Sequence, residues 1–175
     1  MKKVNRGKDF EAAIQNSMSI MRDVSFDRLP DSMGGYAGVR NICDFSMFHA
    51  PDMFYLECKA HYGNTLNYKS DIRKDQWDGM LEKSVIPRCV AGVCVWFIDY
   101  DITAFVNIKD LAKHRDGGAK SLNISDIISD NSIPHILIDG VKKRVMFNYF
   151  GDKFLKELHK LSNEAWGEYG GNKTT

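Results

Sequence analysis

What the chain lacks is as telling as what it holds. Four prolines in 175 residues are too few for a proline-rich linker or recognition tail. No apolar run approaches the roughly eighteen residues that a membrane-spanning helix needs. The opening MKKVNRG has no hydrophobic core of a secretory signal. The expectation is therefore a soluble, cytoplasmic protein with no membrane partner. Neither charge sign is in excess: 24 Lys and Arg stand against 23 Asp and Glu, for a net charge of +1. That balance excludes a binder that works by bulk electrostatics, while leaving room for a local basic surface. Cysteine is scarce and unpaired in pattern. Cys43, Cys58, Cys89 and Cys94 form no C-x-x-C and sit in apolar, strand-like sequence, so reduced buried thiols are expected and a zinc site is not. There is no internal repeat and no low-complexity stretch. With 43% apolar residues, the chain reads as one domain over 1–175 with a substantial core.

The order of elements along the chain is α/β. Phe10, Ile14, Met18 and Met21 recur at helical spacing and predict an amphipathic helix from Lys8 to about Arg22, with Asn5 as a cap. A short strand is expected over Val24–Leu29. A loop or projecting stalk follows over residues 30–40, where one proline and three glycines gather before Arg40. His61–Asn67 reads as a loop, and Asp71–Ser84 as a helix capped by Ser70, with Ile72, Trp77, Met80 and Leu81 inward. The run CVAGVCVWF at 89–97 is continuously apolar and predicts a buried central strand. A turn at Asp99–Asp101, a strand over Ile102–Val106 and short helices over Ile108–His114 and Ile124–Ile128 follow. A small hairpin of His135–Ile138 with Arg144–Phe147 is expected around Asp139-Gly140. A last helix runs over Tyr149–Leu161, with Phe150, Phe154, Leu155 and Leu158 apolar, before a frayed tail over 164–175.

The chemistry concentrates in NICDFSMFHAPDMFYLECKA, residues 41–60. Pro51 and Asp52 mark a reversal between two strands. If Phe48 pairs with Met53, Asp44 falls opposite Glu57. Two carboxylates facing each other across strands repel, and Lys59 shares their face because side chains alternate along a strand. A divalent cation removes the repulsion. Mg²⁺ in particular takes carboxylate and water oxygens and leaves positions for a phosphate. Lys59 would then stand beside the scissile phosphate and stabilise its developing charge. Glu11 can reach the site from the first helix and Gln76 from the helix after the lysine strand. Glu57-Cys58-Lys59 is the sole acid-x-lysine triplet in the chain.

Asp44 followed by Glu57-x-Lys59 on a strand resembles the PD-(D/E)xK nuclease signature. Asn5-Arg6-Gly7-x-x-x-Glu11, with Gln76 and Met80 in the following helix, looks like the RecU-type Holliday junction resolvases in particular. The resemblance covers roughly residues 5–106. It implies an α/β fold with a restriction-endonuclease-like core, a central mixed β-sheet flanked by helices. It also implies a homodimeric, Mg²⁺-dependent endonuclease (Mn²⁺ substituting) that nicks branched DNA, the four-way junction, symmetrically. Carried over by position, Asp44 and Glu57 are metal ligands, Lys59 the catalytic lysine, and Glu11 and Gln76 supporting groups. Two departures stand out. The segment 30–40 is shorter than the family's stalk, and Cys43 occupies a position where a small hydroxyl residue is expected. The compact form suits a phage-encoded relative acting in a host cytoplasm.

Plainer readings stand beside these. Glu57 and Lys59 can be a solvated ion pair, Glu11 a first-turn acid favoured by the helix dipole, and Gln76 a surface residue. Arg6, Arg40, Lys69, Arg73 and Lys74 suit phosphate contacts, yet each alone can be an ordinary surface charge, as can Lys8 and Lys142-Lys143-Arg144. The five histidines show no metal spacing, and Trp77 and Trp96 occupy core-like positions. The competing functions are another nuclease on the same scaffold, restriction-type or end-processing, and a catalytically silent DNA-binding module.

Overall fold

The computed structural model describes residues 5–29 and 41–170. Its centre is a six-stranded mixed sheet in the order β1 (Ser25–Arg28), β2 (Phe45–His49), β3 (Asp52–His61), β5 (Cys89–Phe97), β6 (Ile102–Asn107) and β8 (Ile136–Leu137). Only β3 and β5 run parallel; the other neighbours are antiparallel. The parallel step needs a crossover, supplied by a short strand β4 (Thr65–Asn67) and helix α2 (Lys74–Ser84).

Alternation along the strands splits the core into two layers. Phe45, Met47, Phe54, Leu56, Cys58, Val90, Cys94 and Trp96 face helix α1 (Arg6–Met18) and helix α5 (Gly151–Gly170). Ala91, Val93, Val95 and Phe97 face α2 and helix α3 (Ile108–Asp116). β5 is covered on both sides, which is why its sequence shows an unbroken apolar run instead of alternation. From α1, Phe10, Ile14 and Met18 are almost completely buried, each contributing about 1.5–3 kcal/mol relative to exposure. α1 starts where Asn5 accepts a hydrogen bond from the Lys8 amide, as the capping residue should. On the other layer, Gly79 lets α2 close onto the segment before β2: a β-carbon there would lie 2.3 Å from Ile42 Cγ2.

Several expectations need correction. The second helix starts at Lys74, not Asp71. Asn67 and Asp71 first form a side-chain-bonded turn, in which Asn67 Oδ1 accepts from the Lys69 and Ser70 amides and Asp71 Oδ2 accepts from the Asn67 amide. That competing local bonding displaces Ser70 from the cap. Thr65–Asn67 is a strand rather than loop, paired with β7 (Ser121–Asn123). Asn123 then caps α4 (Ile124–Ile128).

The expected hairpin at Asp139-Gly140 is not a turn. Ile136–Leu137 joins the main sheet, and the hairpin is β9 (Gly140–Lys143) with β10 (Met146–Tyr149). Its reversal lies at Arg144, with φ of 61°. Gly140 instead serves a close approach, since a β-carbon would lie 2.5 Å from the Asn148 carbonyl oxygen. Tyr149 belongs to β10, and Phe150, expected inward, is exposed. The loop or stalk expected over residues 30–40 lies outside the described residues. Among the described residues, no helix is long and apolar enough to cross a membrane.

Candidate active site

The predicted register holds. Phe48 pairs with Met53 and Phe45 with Leu56, where the ladder ends. Asp44 lies just before β2, and its amide donates to the carbonyl of that same Leu56 at 3.2 Å, so it sits close to Glu57 without forming a ladder pair with it. Its side chain takes over from the ladder: Oδ2 accepts from the Cys58 amide at 2.8 Å. The aspartate is thereby tied to the backbone of the triplet Glu57-Cys58-Lys59.

Glu57 is 1% exposed, under α2. Its Oε1 accepts from Gln76 Nε2 at 2.6 Å and pairs with Lys59 Nζ at 2.7 Å. Gln76 is oriented in turn, because its Oε1 accepts from the Arg73 amide, 3.3 Å, at the start of α2. Both donors address one oxygen of Glu57. The other, Oε2, is buried without a hydrogen-bond partner among the described residues. Burial and the neighbouring charge of Asp44 push the Glu57 carboxyl up to about 7, against the opposing pull of Lys59 and Gln76. The same two carboxylates, added to burial, push the Cys43 thiol up to about 12, so Cys43 is an inert packing group whose Sγ points to the Phe45 carbonyl.

A buried carboxylate with one oxygen unused, set close to a second carboxylate, is a donor set suited to a hard divalent cation. No group of three His, Cys, Asp or Glu side chains able to hold a metal occurs among the described residues. Mg²⁺ does not require one: it keeps several waters and is commonly held by one or two carboxylates plus substrate phosphate.

The other candidates separate. Glu11, on α1, accepts from Arg28 Nη2 at 2.8 Å. Arg6 pairs with Asp9 at 3.2 Å and lies against Tyr62, just past β3, whose hydroxyl raises the guanidinium above its ordinary value. Arg73 reaches the Asn41 carbonyl at 3.3 Å, beside the strand that carries Asp44. Lys69 and Lys74 instead line a recess on the far flank of α2, with Lys74 paired to Asp78. Arg40 lies outside the described residues.

Sequence reading missed a second buried acid. Asp52, at the hairpin tip, is 0% exposed and is held by Arg88 Nε at 2.8 Å, Ser162 Oγ at 2.7 Å and His159 Nδ1. His49 Nδ1 meets His159 Nε2 at 2.7 Å. His159 and Ser162 come from more than a hundred positions away, and Arg88 from beyond α2, so no local pattern announces them.

Fold and site together define a mixed α/β sheet protein with an aspartate, a glutamate and a lysine gathered where two strands diverge. No family model matches the chain, and no curated protein does. Among solved structures, Hjc from Archaeoglobus fulgidus, a Holliday junction resolvase from an archaeal hyperthermophile, is similar at 13% identity, over 59% of this chain and 78% of that one, with a TM-score of 0.43.

Proposed function

We propose that this chain is a Mg²⁺-dependent, structure-selective DNA endonuclease with a restriction-endonuclease-like core, which resolves four-way junctions by paired symmetric hydrolysis. The observation that carries the reading is the convergence of Asp44, Lys59 and a buried Glu57 whose Oε2 has no partner among the described residues. In this reading Asp44 and Glu57 hold the cation, Mg²⁺ or Mn²⁺. When bound, such a cation lowers the pKa of water and neutralises charge on the transferred phosphoryl group. Lys59, held beside the site by Glu57 Oε1 at 2.7 Å, would donate to the scissile phosphate and stabilise the charge that develops on its oxygens. Gln76 fixes the rotamer of Glu57, and Glu11 supports the site from α1. Arg6 and Arg73 flank it as phosphate contacts, Arg40 is proposed to join them, and Lys69 and Lys74 add charge from the turn before α2 and from its first residue.

Two such sites in an isologous homodimer would cut opposing strands of a four-way junction, whose pseudo-symmetry matches a two-fold axis. Action in the cytoplasm, of a host if the protein is phage-encoded, completes the proposal.

The test uses a labelled synthetic junction and a linear duplex of equal length, each with Mg²⁺ and with EDTA. The expected result is metal-dependent, paired nicking of the junction alone. Equal cutting of both substrates would instead indicate a general nuclease, and cutting of neither a silent DNA-binding module.

A further inference from the structure

Between α2 and the turn after α3 lies a recess of about 750 Å³. Tyr68, Ile72 and Trp77 form its floor, and its rim carries Lys69, Lys74, Arg115 and Lys120 against a single acid, Asp78. Lys74 pairs with Asp78, and Arg115 with Asp116 at 3.5 Å, so the exposed lysines Lys69 and Lys120 dominate the field. Lys69 and Lys120 are both exposed, and the Tyr68 amide donates to the Lys120 carbonyl at 3.1 Å, which brings the two lysines onto one rim. The Arg115 guanidinium lies over the Trp77 ring, its carbon 4.4 Å from the ring centroid. It is nevertheless 45% exposed. The guanidinium therefore sits over the indole and still leaves part of its surface exposed at the recess.

We infer that this recess binds a single-stranded segment of the DNA substrate, one base stacking on the exposed guanidinium of Arg115 and the adjoining phosphates meeting Lys69 and Lys120. The naming of DNA rests on the nuclease reading above. The preference for a single strand rests on the recess itself. A guanidinium plane backed by tryptophan is a stacking platform for an aromatic base, and a duplex, whose bases are stacked inward, cannot offer one to it. The placement on α2 is also apt: Gln76 touches Glu57 while its neighbour Trp77 floors the recess. A strand leaving the carboxylate site along this helix meets the recess next. An unpaired segment at a branch point is the substrate feature that fits.

The experiment measures anisotropy of a labelled single-stranded oligonucleotide on the full chain in EDTA, beside an oligonucleotide of equal length bearing abasic sites. The charge is the same and only the bases differ. Loss of the bases should weaken binding about tenfold, in the range of one stacked base. Arg115→Lys, which keeps the charge but removes the plane, should weaken the intact strand by a similar factor and leave the abasic strand unchanged. Lys69→Glu/Lys120→Glu should weaken both strands. Melting by circular dichroism checks that the variants are folded, and the double variant stands apart from the Arg115–Trp77 contact. Equal binding of intact and abasic strands, or indifference of the intact strand to both variants, would overturn the inference. No metal and no cleavage enter the measurement, so base-dependent binding without any junction cutting would refute the nuclease reading and leave the recess standing.

Discussion

Strand β3 carries two buried carboxylates five positions apart, and they are treated in opposite ways. Asp52 is 0% exposed and Glu57 1%, so each should be costly to bury. Asp52 is fully answered: Arg88, Ser162 and His159 share its two oxygens. Glu57 concentrates Lys59 and Gln76 on one oxygen and leaves the other without a partner among the described residues. A like charge, Asp44, is set close by as well. The first arrangement ties the hairpin tip to α5 and serves the fold. The second leaves coordination capacity unused inside the protein, which a purely structural acid has no reason to do.

The sharpest break of the comparison is functional. Glu57→Gln and Asp44→Asn are each expected to reduce Mg²⁺-dependent junction cleavage by about 10³-fold or more while junction binding in EDTA persists. Gel-shift and single-turnover cleavage assays measure the two halves. Asp52→Ala is expected to do the reverse, costing about 3–5 kcal/mol of stability because Arg88 and His159 lose their buried partner. Its cleavage rate per folded molecule should stay near normal, and urea unfolding beside the same cleavage assay checks this.

A subtler contrast lies in pH. The Glu57 carboxyl sits at about 7 in the folded protein against an ordinary value of 4.5. Between those values the folded state holds a proton that the unfolded state has released, so metal-free stability should fall as pH rises from about 4.5 to 7. The loss is on the order of 1–3 kcal/mol. Glu57→Gln should flatten that slope, and melts in EDTA across this pH range would show whether it does. The smallest effect is Gln76→Ala, expected to slow cleavage about tenfold by releasing the Glu57 rotamer, with a stability change near 1 kcal/mol. A loss of folding in its place would reassign Gln76 to the core.

How much of this was legible in sequence depends on how local each signal is. The nearness of Asp44 to Glu57 was legible from hairpin register, though the exact pairing was not, and the double burial of β5 follows from its unbroken apolar run. The cap at Asn5 was equally local. What escaped was set by distant partners. Gln76 reads equally well as a surface residue until α2 is docked, and the docking depends on Gly79 accommodating Ile42. The Asp52 network joins the hairpin tip to α5 and has no sequence period. Asp139-Gly140 showed the limit of turn dipeptides, since its glycine answers a backbone approach from Asn148 and not a reversal. Lys69 and Lys74, grouped with Arg73 by sequence proximity, part from it because Lys69 lies in the turn before α2, Arg73 caps the helix and Lys74 is its first residue.

The central claim is that the unused oxygen of Glu57 is there for a divalent cation. Thermal melts at pH 8, with and without Mn²⁺, of the wild type, Glu57→Gln and Asp52→Asn test it without requiring cleavage. Binding to the folded state alone raises the melting temperature by mass action. The wild type and Asp52→Asn should both gain stability from Mn²⁺, and Glu57→Gln should gain none. An equal gain in wild type and Glu57→Gln would contradict the account.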